Sequence, residues 1–138
     1  MEVGVASRVS APLPARRVRG LLSRIARLTG SHAREVSVLF CGDRAMRSLN
    51  RRYRRKDRAT DVLAFPAADG EFLGDIVVSV PYASRQARRR GEPVSREVQR
   101  LLLHGFLHLS GYDHETDDGE MRALEAKLLR RLGLEDSK

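Results

Sequence analysis

Three of the four histidines of this chain lie between residues 104 and 114, in a spacing that suits a metal ion. His104 and His108 stand four residues apart near the end of an apolar segment with helical periodicity, so both imidazoles should project from one face of a helix. Gly111 is placed to end that helix, and the turned chain would bring His114 back over the other two. Three neutral imidazoles favour zinc first among divalent ions, and three protein ligands leave a position for water, as in catalytic sites.

Two carboxylates and one glycine bear on the chemistry of this predicted zinc site. We expect Asp113 to accept a hydrogen bond from a ligating imidazole. Asp75, inside an apolar stretch, is a second candidate for such support, with a hydrogen-bonded or edge-strand role as the alternative. Zinc lowers the pKa of its bound water to about 7, which suits hydrolysis of a phosphodiester or a peptide. Zincin peptidases have glutamate, their general base, directly after the first histidine; this chain has Gly105 there, which disfavours peptide cleavage.

The most basic window of the chain is the segment 51–58, at the end of a predicted helix. Its basic residues and one aromatic residue are Arg51, Arg52, Tyr53, Arg54, Arg55, Lys56 and Arg58. One interpretation is an RNA-binding segment, in which the cations follow a phosphate backbone and the tyrosine stacks on a base. The other is a solvated helix end, where the helix dipole favours positive charge. Composition alone leaves both open.

The composition predicts a single domain, residues 1–138, with an anionic partner. Net charge is +8, from 26 basic and 18 acidic residues; a genome that favours arginine codons explains arginine over lysine, but not this excess of positive charge. The single cysteine, Cys41, excludes an internal disulfide framework and fits a reducing cytosol. No secretory signal and no apolar run long enough to span a bilayer is visible. We therefore expect a cytoplasmic protein without membrane contact.

Hydrophobic periodicity predicts an α+β fold, with a mixed β-sheet packed against helices and the metal site at the end of a helix. Asp43 is the predicted N-cap of the second helix. The predicted elements are a strand at 3–6, a helix at 15–28, a strand at 35–40, a helix at 43–53, strands at 60–66 and 72–80, and helices at 81–90, 96–109 and 117–132.

The stretch 104–114 resembles the signature of the YbeY family of bacterial endoribonucleases and rRNA maturation factors, H-G-x-L-H-L-x-G-Y-D-H, at every fixed position. Residues 49–66 match a second block, L-N-x-x-Y-R-x-K-D-x-x-T-D-V-L-x-F-P, and residues 73–77 match a third, L-G-D-I-V. The chain departs from the family at Ala59, where proline is usual, and at Ala64, where serine is common. Neither departure removes a catalytic group.

The resemblance implies a function for these residues. It implies one zinc ion held by His104, His108 and His114, and it makes Arg54 the catalytic or RNA-contacting arginine. It further implies a single-strand-specific endoribonuclease in 16S rRNA 3′-end maturation and ribosome quality control. The expected partners are rRNA of the small ribosomal subunit and its ribosomal proteins. Two alternatives stay open: a zinc metallopeptidase, and a non-catalytic ribosome-assembly factor in which the basic window binds rRNA.

Overall fold

In a computed structural model, the chain folds into alternating amphipathic helices and strands rich in β-branched residues. The structure describes residues 1–68, 70–112 and 117–135. Short turns join most of the elements, and proline or glycine marks several of their ends. In chain order the elements are β1 Glu2–Ser7, α1 Ala15–Thr29, β2 Glu35–Cys41, α2 Asp43–Arg54, β3 Val62–Pro66, β4 Phe72–Ser79, α3 Val80–Arg90, α4 Val94–Leu109 and α5 Glu120–Leu132.

The four strands form one mixed sheet in the order β1-β2-β4-β3. Strands β1, β2 and β4 run parallel, because α1 and the segment from α2 to β3 carry the chain back between them. Strand β3 pairs antiparallel with β4 and forms an edge of the sheet. The predicted fold class, α+β with a mixed sheet and helices, is confirmed. Among the described residues, no helix combines the length and the apolar character needed to cross a bilayer.

The main hydrophobic core lies between one face of the sheet and helices α1, α4 and α5. Helix α4 crosses β3 and β4 closely, because Gly105 presents no side chain to the sheet. A Cβ atom at this position would lie 2.7 Å from Cγ2 of Ile76 and 3.5 Å from Cγ2 of Val62. This close packing places the last two turns of α4, which carry His104 and His108, beside the edge strand β3.

Helix α2 covers the opposite face of the sheet with a smaller core. Met46 of α2 packs there with Cys41, Leu63 and Val77. Cys41 is fully buried, and burial raises the pKa of its thiol above the ordinary value.

The start of α2 differs from the prediction at one residue. Gly42, rather than Asp43, is the N-cap, and Asp43 is the first helical residue. The carboxylate of Asp43 points instead to the junction with α3, where it accepts a hydrogen bond from the hydroxyl of Ser79 at 2.8 Å and pairs with Arg85 at 2.8 Å. The Asp43 carboxylate therefore forms a tertiary ion pair, whereas the sequence pattern predicted that it would cap the backbone of α2.

Candidate active site

His104 and His108 share one face of α4, as their spacing predicts. Their Nε2 atoms lie 3.2 Å apart, with the ring planes at 68°. Two imidazole nitrogens at about 2.0–2.1 Å from a tetrahedral ion lie about 3.3–3.4 Å apart. The geometry of the pair therefore fits two ligands of one zinc ion.

Glu125 of α5 orients the first of these histidines. Its carboxylate oxygens lie 2.9 and 3.3 Å from Nδ1 of His104. This hydrogen bond is the largest cause of a raised pKa for His104, and partial burial opposes it. A carboxylate on Nδ1 favours the tautomer with hydrogen on that nitrogen, which leaves the lone pair of Nε2 for a metal.

The third predicted ligand, His114, and its predicted support, Asp113, lie outside the described residues. Within the part of the chain that the structure describes, no group of three or more histidine, cysteine or carboxylate side chains is placed to hold a metal. The described donor set is thus the His104–His108 pair with its carboxylate. Histidine nitrogen is a preferred zinc donor, so this part of the site is compatible with the expected ion.

A cleft of about 390 Å³ opens beside the two histidines, along the free edge of β3. The C-terminal end of α2 and the following loop form its other wall and contribute Arg54, Lys56 and Arg58. No acidic side chain of the described residues lines it. The cleft therefore combines a metal-binding pair with three cations, an arrangement suited to a phosphate group.

Arg54 is held in place at the sheet edge. Its Nη2 donates a hydrogen bond to the carbonyl oxygen of Ala64 at 2.8 Å, and its guanidinium lies 5.8 Å from the ring centre of Phe65. Because a guanidinium carries five N–H donors in a rigid plane, one anchored donor still leaves others to meet a phosphoryl oxygen. The edge strand thus fixes the position of the charge.

Asn50 holds the loop that carries the other two cations. Arg55 ends α2 in the left-handed conformation, with φ of 58°, and the chain reverses there. The buried Asn50 then donates from Nδ2 to the carbonyl oxygen of Arg58 at 3.0 Å, and its own backbone carbonyl accepts from the amide of Lys56 at 3.3 Å. These bonds fold the loop back against α2, so that Lys56 and Arg58 line the cleft.

Comparison with known proteins identifies the family. The sequence model of the Endoribonuclease YbeY family matches residues 10–133 of this chain. The chain belongs to this family. The resemblance of the motifs is thereby confirmed across most of the sequence, and it extends well beyond the histidine signature.

Several relatives named Endoribonuclease YbeY show the extent of the similarity. The protein from Koribacter versatilis is 52% identical over 104 residues, which are 75% of this chain and 68% of that protein. The protein from Nautilia profundicola is 45% identical over 106 residues, 75% of this chain and 76% of that protein. The protein from Geobacter metallireducens is 39% identical over 149 aligned positions, covering 97% of this chain and 99% of its own.

A solved structure supports the same fold. The solution structure of TM1509 from Thermotoga maritima matches with a TM-score of 0.67 and 27% sequence identity, over 99% of this chain and 97% of that one. The family match and the relatives support the endoribonuclease prediction. None of the relatives named above supports the peptidase or the non-catalytic assembly factor.

The structure divides the predicted RNA-binding window into two groups. Arg54, Lys56 and Arg58 line the cleft that is shared with the histidines. Arg51, Arg52 and Arg55 are exposed but lie outside that lining. They remain predicted RNA contacts without a place in this cleft.

Two predicted site residues lie outside the histidine cleft. Tyr53 does not face the histidine cleft: its ring is 57% exposed and packs edge-on against Phe65 at 5.3 Å, in a groove that Asp75 also lines. Asp75 lies with Val77 on this α2 side of the sheet and does not line the histidine cleft; its support of the metal ligands stays a prediction. Side chains alternate along a strand, and the neighbouring Ile76 is the residue that packs beneath α4.

Two residues of the site were not predicted as site residues. Glu125 replaces Asp75 as the observed carboxylate at the histidines, and Asn50 positions the basic loop. A signal for Glu125 exists in the sequence, because its spacing from Met121 and Leu128 places a carboxylate within the apolar stripe of α5. Asn50 carries a weaker signal, as a polar residue on the inner side of α2 next to Met46 in the helical pattern.

Proposed function

We propose that this chain is a zinc-dependent endoribonuclease that cuts single-stranded RNA in 16S rRNA 3′-end maturation and in quality control of the small ribosomal subunit. The observation that carries the proposal is the single cleft shared by Arg54 and the His104–His108 pair. Membership in the endoribonuclease family supports the reaction class. The proposal includes one zinc per chain, one catalytic domain over residues 1–138 and a cytoplasmic location.

The metal side of the cleft would hold zinc through Nε2 of His104 and His108, with His114 as the third ligand. Zinc bound there would supply Lewis acidity and lower the pKa of a bound water to about 7. Glu125 keeps the imidazole of His104 in the ligating tautomer through the bond to Nδ1. Gly105 lets α4 approach the sheet, and this approach sets the pair beside the edge strand.

The cationic side of the cleft would hold the substrate. Arg54, anchored on the carbonyl of Ala64, would stabilise the extra negative charge that develops on the phosphoryl oxygens during cleavage. Preorganised donors of this kind contribute about 3–4 kcal/mol to transition-state stabilisation. Lys56 and Arg58 would bind phosphates on the flanking nucleotides, because they line the same cleft at the loop after α2.

We propose water as the nucleophile, and the chemical form of the product termini tests this assignment. Attack by water leaves a linear phosphate on one product. Attack by the substrate 2′-hydroxyl would leave a 2′,3′-cyclic phosphate instead. Mass spectrometry of the first products separates the two, and a cyclic terminus would contradict the water mechanism.

The structure adds a steric argument against the peptidase alternative. Zincin chemistry requires a glutamate at position 105, but even a Cβ atom there would lie 2.7 Å from Ile76. A side chain at this position would push α4 away from the sheet that holds the site together. The general base of that peptidase mechanism therefore has no place in this fold.

Cleavage of single-stranded RNA and of an unstructured peptide, each with and without chelator, tests the proposal. We expect RNA cleavage that chelator abolishes and added zinc restores, with one zinc per chain in the fresh protein by elemental analysis. The double variant His104→Ala/His108→Ala should lose both the zinc and the cleavage. Peptide cleavage without RNA cleavage, or RNA cleavage that survives complete removal of metal, would overturn the proposal.

A further inference from the structure

Helix α1 carries a band of exposed arginines outside the histidine cleft. At 100° per residue, Arg16, Arg17, Arg24 and Arg27 fall within an arc of about 100° and span about 16 Å along the helix. All four side chains are exposed, and α1 contains no acidic residue. We call these four residues the α1 surface.

A shallow groove of about 290 Å³ runs beside this surface. Arg17 and Arg24 flank it, Gly20 and Leu21 form part of its floor, and Gln99 of α4 adds an amide. Arg24 also donates a hydrogen bond from Nη2 to the carbonyl oxygen of Arg131 at 3.0 Å, which ties α1 to the end of α5. No carboxylate among the described residues lines this groove. The local field is therefore positive.

Two of these arginines, Arg16 and Arg17, work against the stability of their own helix, whereas Arg27 lies in the last turn, where the helix dipole favours a cation. The N-terminus of a helix carries partial positive charge and disfavours cations in the first turn. Arg16 and Arg17 lie in the first turn of α1, which has Pro14 as N-cap, no side-chain capping bond and no acidic residue. Helix stability thus gives no reason for positive charge at Arg16 and Arg17, whereas binding to an anion does.

The α1 surface and the catalytic cleft lie at opposite ends of the sheet. Helix α1 packs against β1 and against the N-terminal half of α4, and the cleft follows β3. Three strand spacings, about 14 Å, separate these two edge strands. One short single strand in the cleft therefore leaves the α1 surface available to another part of the partner.

We propose that the α1 surface binds the phosphate backbone of double-helical RNA adjacent to the single strand that the cleft cuts. Double-helical RNA is recognised mainly through its phosphates and shape. Single-stranded RNA is usually bound with aromatic side chains that stack on bases, and α1 has no aromatic residue. The choice of RNA rather than another polyanion rests on the proposed function. The positive charge and the position of the α1 surface are independent of that function.

The double variant Arg16→Gln/Arg17→Gln tests this surface, with Arg88→Gln/Arg89→Gln at the exposed end of α3 as the matched control. Both remove two positive charges from exposed helical positions. Binding to a blunt-ended RNA duplex is measured by fluorescence anisotropy over a range of salt, and cleavage of a short single-stranded oligonucleotide is measured separately. We expect the α1 variant to bind the duplex about tenfold more weakly, with a salt slope smaller by about 2.

Two further readouts separate binding from structural damage. The α1 variant should cleave the short oligonucleotide like the parent, which keeps the proposed function apart from this inference. Its thermal unfolding midpoint should be equal to or above that of the parent, because the substitutions remove two positive charges from the N-terminus of a helix. Unchanged duplex binding, an equal loss in the control, no duplex binding by the parent, or equally strong displacement by polyglutamate would overturn the inference.

Discussion

At the residue scale, Gly105 sets the distance between α4 and the sheet. Replacing it with alanine places a Cβ atom 2.7 Å from Cγ2 of Ile76, so we expect Gly105→Ala to destabilise the fold by about 1–3 kcal/mol. Gly20 is the matched control, since it is also a helical glycine but a Cβ atom added there would meet nothing within 4 Å. Gly20→Ala should stabilise by about 0.5–1 kcal/mol through helix propensity. Urea unfolding measures both, and effects of the same sign would contradict this packing.

Glu125 acts through the histidine rather than on substrate. We expect Glu125→Gln to lower zinc affinity by about 10–100-fold, because the neutral amide holds the Nδ1–H of His104 less strongly than the carboxylate does. Competition with a chromophoric chelator measures the affinity without any substrate. Glu120→Gln, on the same helix but exposed, is the control. A loss of zinc affinity in both variants would assign the effect to charge on α5 in general.

At the element scale, an ion pair fastens the start of α2 to α3. The hydrogen bond from Arg85 is the main cause that lowers the pKa of Asp43 below its ordinary value, and the hydroxyl of Ser79 adds to it. A carboxylate with a lowered folded-state pKa stabilises the fold above its unfolded-state pKa of about 4, and this contribution disappears as the pH falls through the folded-state pKa.

The variant Asp43→Asn tests this junction. We expect it to be less stable than the parent near pH 7, and the difference in unfolding free energy should shrink as the solution is acidified toward about pH 3. Chemical denaturation at several pH values measures the difference, and Asp118→Asn, at an exposed position before α5, is the control. A difference for Asp43→Asn that does not change with pH would assign the effect to packing instead.

The helices and strands were largely predictable from the sequence, but the side of the sheet on which some of their side chains lie was not. Periodicity predicted α4 and its two histidines because helical spacing is a local property of the chain. Sequence pattern did not show that Tyr53 and Asp75 lie on the face of the sheet opposite the histidines, because the side of a sheet on which a helix packs depends on tertiary pairing. In β4 the register with β2 shifts next to Gly74, whose φ is 141°; a glycine inside a strand can mark such a bulge, but it does not show which face of the sheet the following side chains take.

At the scale of the whole molecule, the sequence predicted two chemical groups but not their convergence. Arg54 and His104 are fifty residues apart in the chain, and only the edge strand β3 between α2 and α4 brings them to one cleft. The family resemblance named both residues, but the anchoring of Arg54 on Ala64 and of His104 on Glu125 required the tertiary structure. Sequence composition likewise does not show that basic side chains lie both in the cleft and on α1.

The pairing of Arg54 with the histidine site is the central claim, and steady-state cleavage of single-stranded RNA by Arg54→Gln tests it most directly. Arg51→Gln is the matched control, one turn earlier on α2 and outside the cleft lining. We expect Arg54→Gln to keep its zinc and its fold but to lose about 10²–10³-fold in kcat, while Arg51→Gln stays within a few-fold of the parent. Equal activity of the two variants, or a loss confined to KM, would contradict a role for Arg54 in the transition state.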